Sequence, residues 1–144
     1  MTAPLFHRIL CTLDFDEASL ATLRFSKRLA ERNGATLAII HVMTPRVIGG
    51  VVLQQDKEEA RVGLEKIAAT ELEGVEYRIL VRWGNPAREI VAAENELGAQ
   101  LCVMPQNGRL GAASLFKRSI TEKVARNSCC PVLTLDVNSA PVGH

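Results

Sequence analysis

The sequence predicts a three-layer α/β/α fold with an open, five-stranded parallel sheet of Rossmann-like type. Three observations carry this. Five short apolar runs, among them ILCTL at 9–13 and LCVM at 101–104, lack the polar alternation of a half-exposed strand and so suit strands buried on both faces. Four segments of helical periodicity separate them, and alternating strands and helices build a parallel sheet covered on both sides. Glycine or proline marks most of the joints. Right-handed crossovers restrict the possible strand orders, and 3-2-1-4-5 is expected.

The first strand, 9–13, is closed by Asp14. Asp16 is placed to cap the first helix, which runs to Asn33 and presents Ala18, Ala21, Phe25 and Leu29 as one apolar face. Asn33-Gly34 stops it. The second strand is ATLAIIHV at 35–42. The stretch after it, 44–56, holds Pro45, Gly49 and Gly50 and reads as a loop over the sheet edge, a lid or a dimer contact. A second helix follows over 57–73, with Ala60, Leu64, Ile67 and Ala68 inward, and Gly74 ends it.

The third strand is YRILV at 77–81. Pro86 suits the first turn of the third helix, 87–97, where its missing N–H costs nothing. Ile90, Val91 and Leu97 form its packing face, and Gly98 its stop. The fourth strand, 101–104, runs into a turn with Gly108 and Gly111. Ser119 and Glu122 fit a capping box, which predicts a helix beginning at Ser119. The fifth strand is 131–135. Residues 1–137 are expected to form a single domain, with 138–144 a frayed polar tail.

Composition narrows the function. With 17 Lys and Arg against 16 Asp and Glu, the net charge is +1, which argues against a nucleic-acid partner held by bulk charge. No apolar run approaches the roughly 20 residues of a membrane helix, and the N-terminal stretch lacks a signal-peptide pattern, so a cytoplasmic protein is expected. Cys11 and Cys102 fall in core strands, and the adjacent Cys129 and Cys130 lack the paired spacing of a zinc site. His41 reads as a packed core residue, and Trp83 as an anchor at a strand end. No acid pair, nucleophile elbow or Walker loop is present, so no residue is named as catalytic.

One place draws the remaining chemistry together. In the expected strand order the chain reverses direction between its first and fourth strands, and α/β sheets bind ligands in that crevice. Asp14 and the loop after Met104 line it. Asp14 either binds a ribose hydroxyl or caps the first helix. Gly108 and Gly111 either let a phosphate approach the backbone or make a plain turn. Ser119 offers a hydroxyl and a free amide, or the capping box alone. Arg109, Lys117 and Arg118 supply positive charge.

These residues resemble the universal stress protein family over nearly the whole chain: ILCTLDFDEAS, IIHV, GNPAREIV, and the closing stretch from AQLCVMPQNGRLG to CCPVLTL. The resemblance implies a cytoplasmic, dimeric regulatory or interaction module of the stress response, not an enzyme. It implies Asp14 at a ribose, Val42 at an adenine edge, Gly108 and Ser119 at phosphates, and Met104 and Ile120 at the pocket border, with ATP or AMP as ligand and no obligate cofactor. It also implies a homodimer through Val132, Leu133, Thr134 and Leu135, and an unidentified protein partner. The family's closing motif, G-2x-G-9x-G-[S/T], reads here Pro105, Gly108, Arg118, Ser119. Pro105 cannot donate an amide hydrogen to a phosphate, and Arg118 brings a long side chain where the family has glycine. Those departures predict weak or absent ATP binding. An ATP- or AMP-responsive switch of the same fold is the alternative.

Overall fold

The computed structural model describes residues 3–53, 56–106 and 112–136, with the backbone alone for Arg46, Leu53 and 112–119. The elements in chain order are β1 (Arg8–Thr12), α1 (Glu17–Asn33), β2 (Thr36–Met43), β3 (Arg46–Ile48), β4 (Val51–Leu53), α2 (Lys57–Glu71), β5 (Tyr77–Trp83), α3 (Pro86–Leu97), β6 (Leu101–Gln106), α4 (Ala112–Asn127) and β7 (Val132–Asp136). Five strands form one parallel sheet in the order β5-β2-β1-β6-β7, which is the predicted 3-2-1-4-5.

Alternation along the central strands sorts the core into two layers. Ile9 and Cys11 of β1 and Leu37 and Ile39 of β2 face one way, with Leu23 of α1 and Leu64 of α2. Leu10 of β1 and Ala38 and Ile40 of β2 face the other, with Ile90 and Ala93 of α3 and Val124 of α4. Each fully buried aliphatic side chain contributes about 1.5–3 kcal/mol relative to exposure. Trp83 packs half-buried against the first layer, as an anchor at the end of β5.

The caps follow the sequence signals. The Asp16 carboxylate accepts from the Ser19 N–H at 2.8 Å, and Gly34 closes α1 at φ 60°. Asn85 accepts from the Arg88 N–H at 3.1 Å ahead of Pro86. Each such cap is worth about 1 kcal/mol.

Four expectations are corrected. The inward face of α1 is Ser19, Thr22, Leu23, Ser26 and Ala30, whereas Ala21 is exposed and Ala18, Phe25 and Leu29 are only half-buried. Small hydroxyl residues can line a core because they satisfy themselves locally: Thr22 Oγ1 donates to the Ala18 carbonyl and Ser26 Oγ to the Thr22 carbonyl, both at 2.8 Å. Within the 44–56 stretch, residues 46–53 form a β-hairpin, not an irregular loop: Val47 pairs with Val52 and Ile48 with Val51. Gly49 and Gly50, at φ 57° and 79°, form the two-residue turn whose positive φ values suit antiparallel strands. The second helix ends at Glu71, ahead of a turn containing Gly74 at φ 87°.

The last correction concerns the final helix. It begins at Ala112, not Ser119, so Ser119 lies within α4 and the capping-box reading fails. Residues 112–118 include Ala, Leu, Lys and Arg, which favour helix, and no glycine or proline interrupts 112–127. Arg118 therefore has helical backbone.

Candidate functional site

β1 lies between β2 and β6, and the chain leaves it in opposite directions on its two sides. At the carboxyl ends of these strands is an open cavity of about 1010 Å³. Asp14, Val42, Met104 and Ile120 all line it. Four side chains far apart in sequence thus meet at the predicted crevice. Gly108 lies outside the described residues, as do Arg109 and Gly111. For Arg118 and Ser119 only the backbone position within α4 is described.

The end of β1 decides what Asp14 can do. Asp16, not Asp14, caps α1, and the Asp14 backbone N–H donates to Ser19 Oγ at 3.0 Å. The Asp14 carboxylate is left facing the cavity, 3.7 Å from His41 Nδ1. The capping alternative for Asp14 is therefore excluded by geometry. The remaining wall is apolar on the α3 side, where Ile40, Val42 and Ile90 contribute, and it continues to Met104 and Ile120.

His41 is buried, as its place in a core strand predicts, yet it also borders the cavity. Its Nδ1 hydrogen bonds to the Leu13 carbonyl at 2.8 Å, which assigns the proton to that nitrogen. Burial works against the charged ring, but Asp14 and the Leu13 carbonyl outweigh it, and the His41 pKa is held above its ordinary value. The 3.7 Å separation makes the Asp14 contribution electrostatic rather than a direct hydrogen bond. Sequence reasoning missed this role because alternation in β2 signals only which layer a side chain joins.

Phe15 follows Asp14 and also lines the cavity. Its φ of 61° is the one positive value among described non-glycine residues, a conformation that costs about 1–2 kcal/mol. Its ring meets the His41 ring edge to face, with centroids 4.9 Å apart. Asp56 and Glu59, at the start of α2, also line the cavity. Among the described lining residues the ionisable groups are three carboxylates and His41, with no lysine or arginine. Pro105, also in the lining, lacks an amide hydrogen. Among the described residues no cluster of His, Cys, Asp or Glu could hold a metal ion.

A second polar group, away from this cavity, went unnoticed in the sequence. Glu94 of α3 is fully buried: its Oε2 accepts from Ser128 Oγ at 2.7 Å, while its Oε1 has no hydrogen-bond partner among the described residues. Burial pushes the Cys130 thiol up to about 12, with Glu94 adding to the shift, and raises Cys102 well above the usual range by the same two causes. Cys11 is pushed up to about 12 by burial. These thiols behave as packing groups, as the sequence predicted for Cys11 and Cys102.

Among the described residues no helix is long and apolar enough to cross a membrane. Comparison with known proteins agrees with the fold. The universal stress protein family model matches residues 5–136. The chain is 28% identical, over 145 aligned positions, to universal stress protein YxiE of Bacillus subtilis, covering 90% of this chain and 98% of that protein. A universal stress protein solved in complex with cAMP superposes with a TM-score of 0.72 at 19% identity, covering 93% of this chain and 99% of the other. One from Archaeoglobus fulgidus, solved in complex with dAMP, gives 0.67 at 21%, covering 92% and 99%. These two likenesses speak for the fold, and the family match spans all five strands of the parallel sheet. The chain belongs to the universal stress protein family.

Proposed function

We propose that the chain is a cytoplasmic, dimeric regulatory module of the stress response, a binding protein rather than an enzyme, whose pocket takes an adenine mononucleotide and holds ATP weakly. The observation that carries this is the meeting of Asp14, Val42, Met104 and Ile120 around one cavity. An apolar wall suits a base, and a carboxylate suits ribose hydroxyls. The cAMP and dAMP complexes of structurally similar proteins favour a ligand with one phosphate. Asp14, Asp56 and Glu59, together with the lack of an amide hydrogen at Pro105, disfavour the further negative charge of a triphosphate.

Isothermal titration tests the reading. AMP is expected to bind at submillimolar concentration, magnesium-free ATP more weakly, and Asp14→Ala to abolish AMP binding. ATP binding more tightly than AMP would reverse the charge argument. An absence of heat from both ligands at millimolar concentration would remove the nucleotide from the reading.

Dimer formation is proposed through β7, which ends the sheet order. Its Val132, Leu133 and Thr134 carry no charge to discourage edge pairing. A protein partner recognised by this dimer is part of the same reading.

A further inference from the structure

Phe15 is held in a strained backbone conformation without being buried: its φ is 61° and 43% of its surface is exposed. Strain of this kind persists where the surroundings fix it, and it collects at ligand clamps. One contact and one opening in the packing place the ring. One is the edge-to-face contact with His41, itself anchored to the Leu13 carbonyl. The other is Gly63 of α2, where an added Cβ would lie 3.2 Å from Phe15 Cε1. A glycine inside a helix is unfavourable relative to alanine, and here its missing side chain makes room for the ring. The ring is therefore held against His41, fits the space that Gly63 leaves, and lines the cavity next to Asp14.

Full burial would have explained the strain by packing alone. Residual exposure at the mouth of a cavity that is still about 1010 Å³ with the ring in place does not. The ring is a wall of the cavity and leaves it open. We propose that Phe15 is a positioning residue that offers its aromatic face to the planar base of a nucleotide, while the neighbouring Asp14 meets the sugar. This rests on the nucleotide reading of the pocket.

The test is titration of AMP into wild type and three variants, with the melting temperature of each ligand-free protein recorded. Stacking of a base on an aromatic side chain leads to an expected loss of about tenfold in AMP affinity for Phe15→Leu, which keeps apolar bulk but removes the π face. Phe15→Tyr is expected to stay within about twofold of wild type, since the face is retained. Gly63→Ala pushes the ring without altering it and is expected to weaken AMP while leaving the ligand-free protein folded. Should Phe15→Leu fail to fold, Phe15→Met, which also keeps apolar bulk without a π face, takes its place, with the same expected and overturning results. The proposal is overturned if AMP affinity is unchanged or improved in Phe15→Leu, or if Leu and Tyr weaken it equally. Wild type that takes up no AMP overturns the nucleotide reading and this proposal together, a pattern distinct from wild type that binds AMP and ignores the loss of the ring.

Discussion

His41 shows how one side chain can belong to the core and to the site at once. Its folded pKa stands above the 6.5 of an unperturbed imidazole, through Asp14 and the Leu13 carbonyl acting against burial. On unfolding, the ring gives up its proton more readily. The stability this pairing contributes is complete below about pH 6.5 and is lost as pH rises through the folded value. Melting temperatures measured on both sides of that window are expected to fall with rising pH in wild type, and to fall less in His41→Gln. Glu94 supports a second expectation. Ser128→Ala removes the hydrogen bond that Ser128 Oγ donates to the fully buried Glu94 and is expected to cost about 1–3 kcal/mol in denaturant unfolding, because that oxygen loses its donor. An unchanged midpoint would mean that Glu94 finds another donor. Neither role was legible beforehand. A histidine in IIHV and a glutamate in AAENEL carry no spacing that announces a partner 27 residues upstream of the one or 34 downstream of the other. Asp14 was legible because it closes a strand at a topological reversal, a property of chain order rather than of contacts.

At the scale of elements, strands and caps were readable and helix faces less so. Runs such as ILCTL and ATLAIIHV leave few alternatives for a central parallel strand. The face of α1 was misread because apolar spacing was followed, whereas the buried stripe is built from hydroxyl residues that bond back to their own helix. The start of α4 was misread because a capping signature inside a run of helix formers does not start a helix. The β3–β4 hairpin was missed because its valines carry the same apolar content on both faces and show no alternation. Val47, Ile48, Val51 and Val52 remain 54–65% exposed, so the hairpin is supported by its turn and its own pairing. Replacing all four by threonine is therefore expected to change the melting temperature little, since β propensity is kept and no core is opened, and to lower the binding of a hydrophobic dye. A large loss of stability would show that the hairpin packs on the body.

At the scale of the molecule, the same sheet that creates the crevice has β5 and β7 at its two ends. Leu133→Lys places a charge on the proposed pairing edge. Light scattering on eluting protein is expected to show a dimer for wild type and a monomer for this variant. A monomeric wild type would remove β7 as an interface. The two α helices on the first layer are tied across their surface by Arg24 and Glu71, whose two contacts measure 2.8 and 2.9 Å. At this exposure the pair is worth about 1 kcal/mol at most, so α1 and α2 depend on Leu23 and Leu64 rather than on charge.

The central position of β1 has a consequence for how the chain is made. As synthesis proceeds from the N-terminus, β1, β2 and β5 emerge first and can pair, yet the flank of β1 that awaits β6 stays bare until Leu101 and its neighbours have left the ribosome. For that interval the newborn chain exposes one of its most apolar edges, so binding by a nascent-chain chaperone should peak before β6 emerges and decline afterwards.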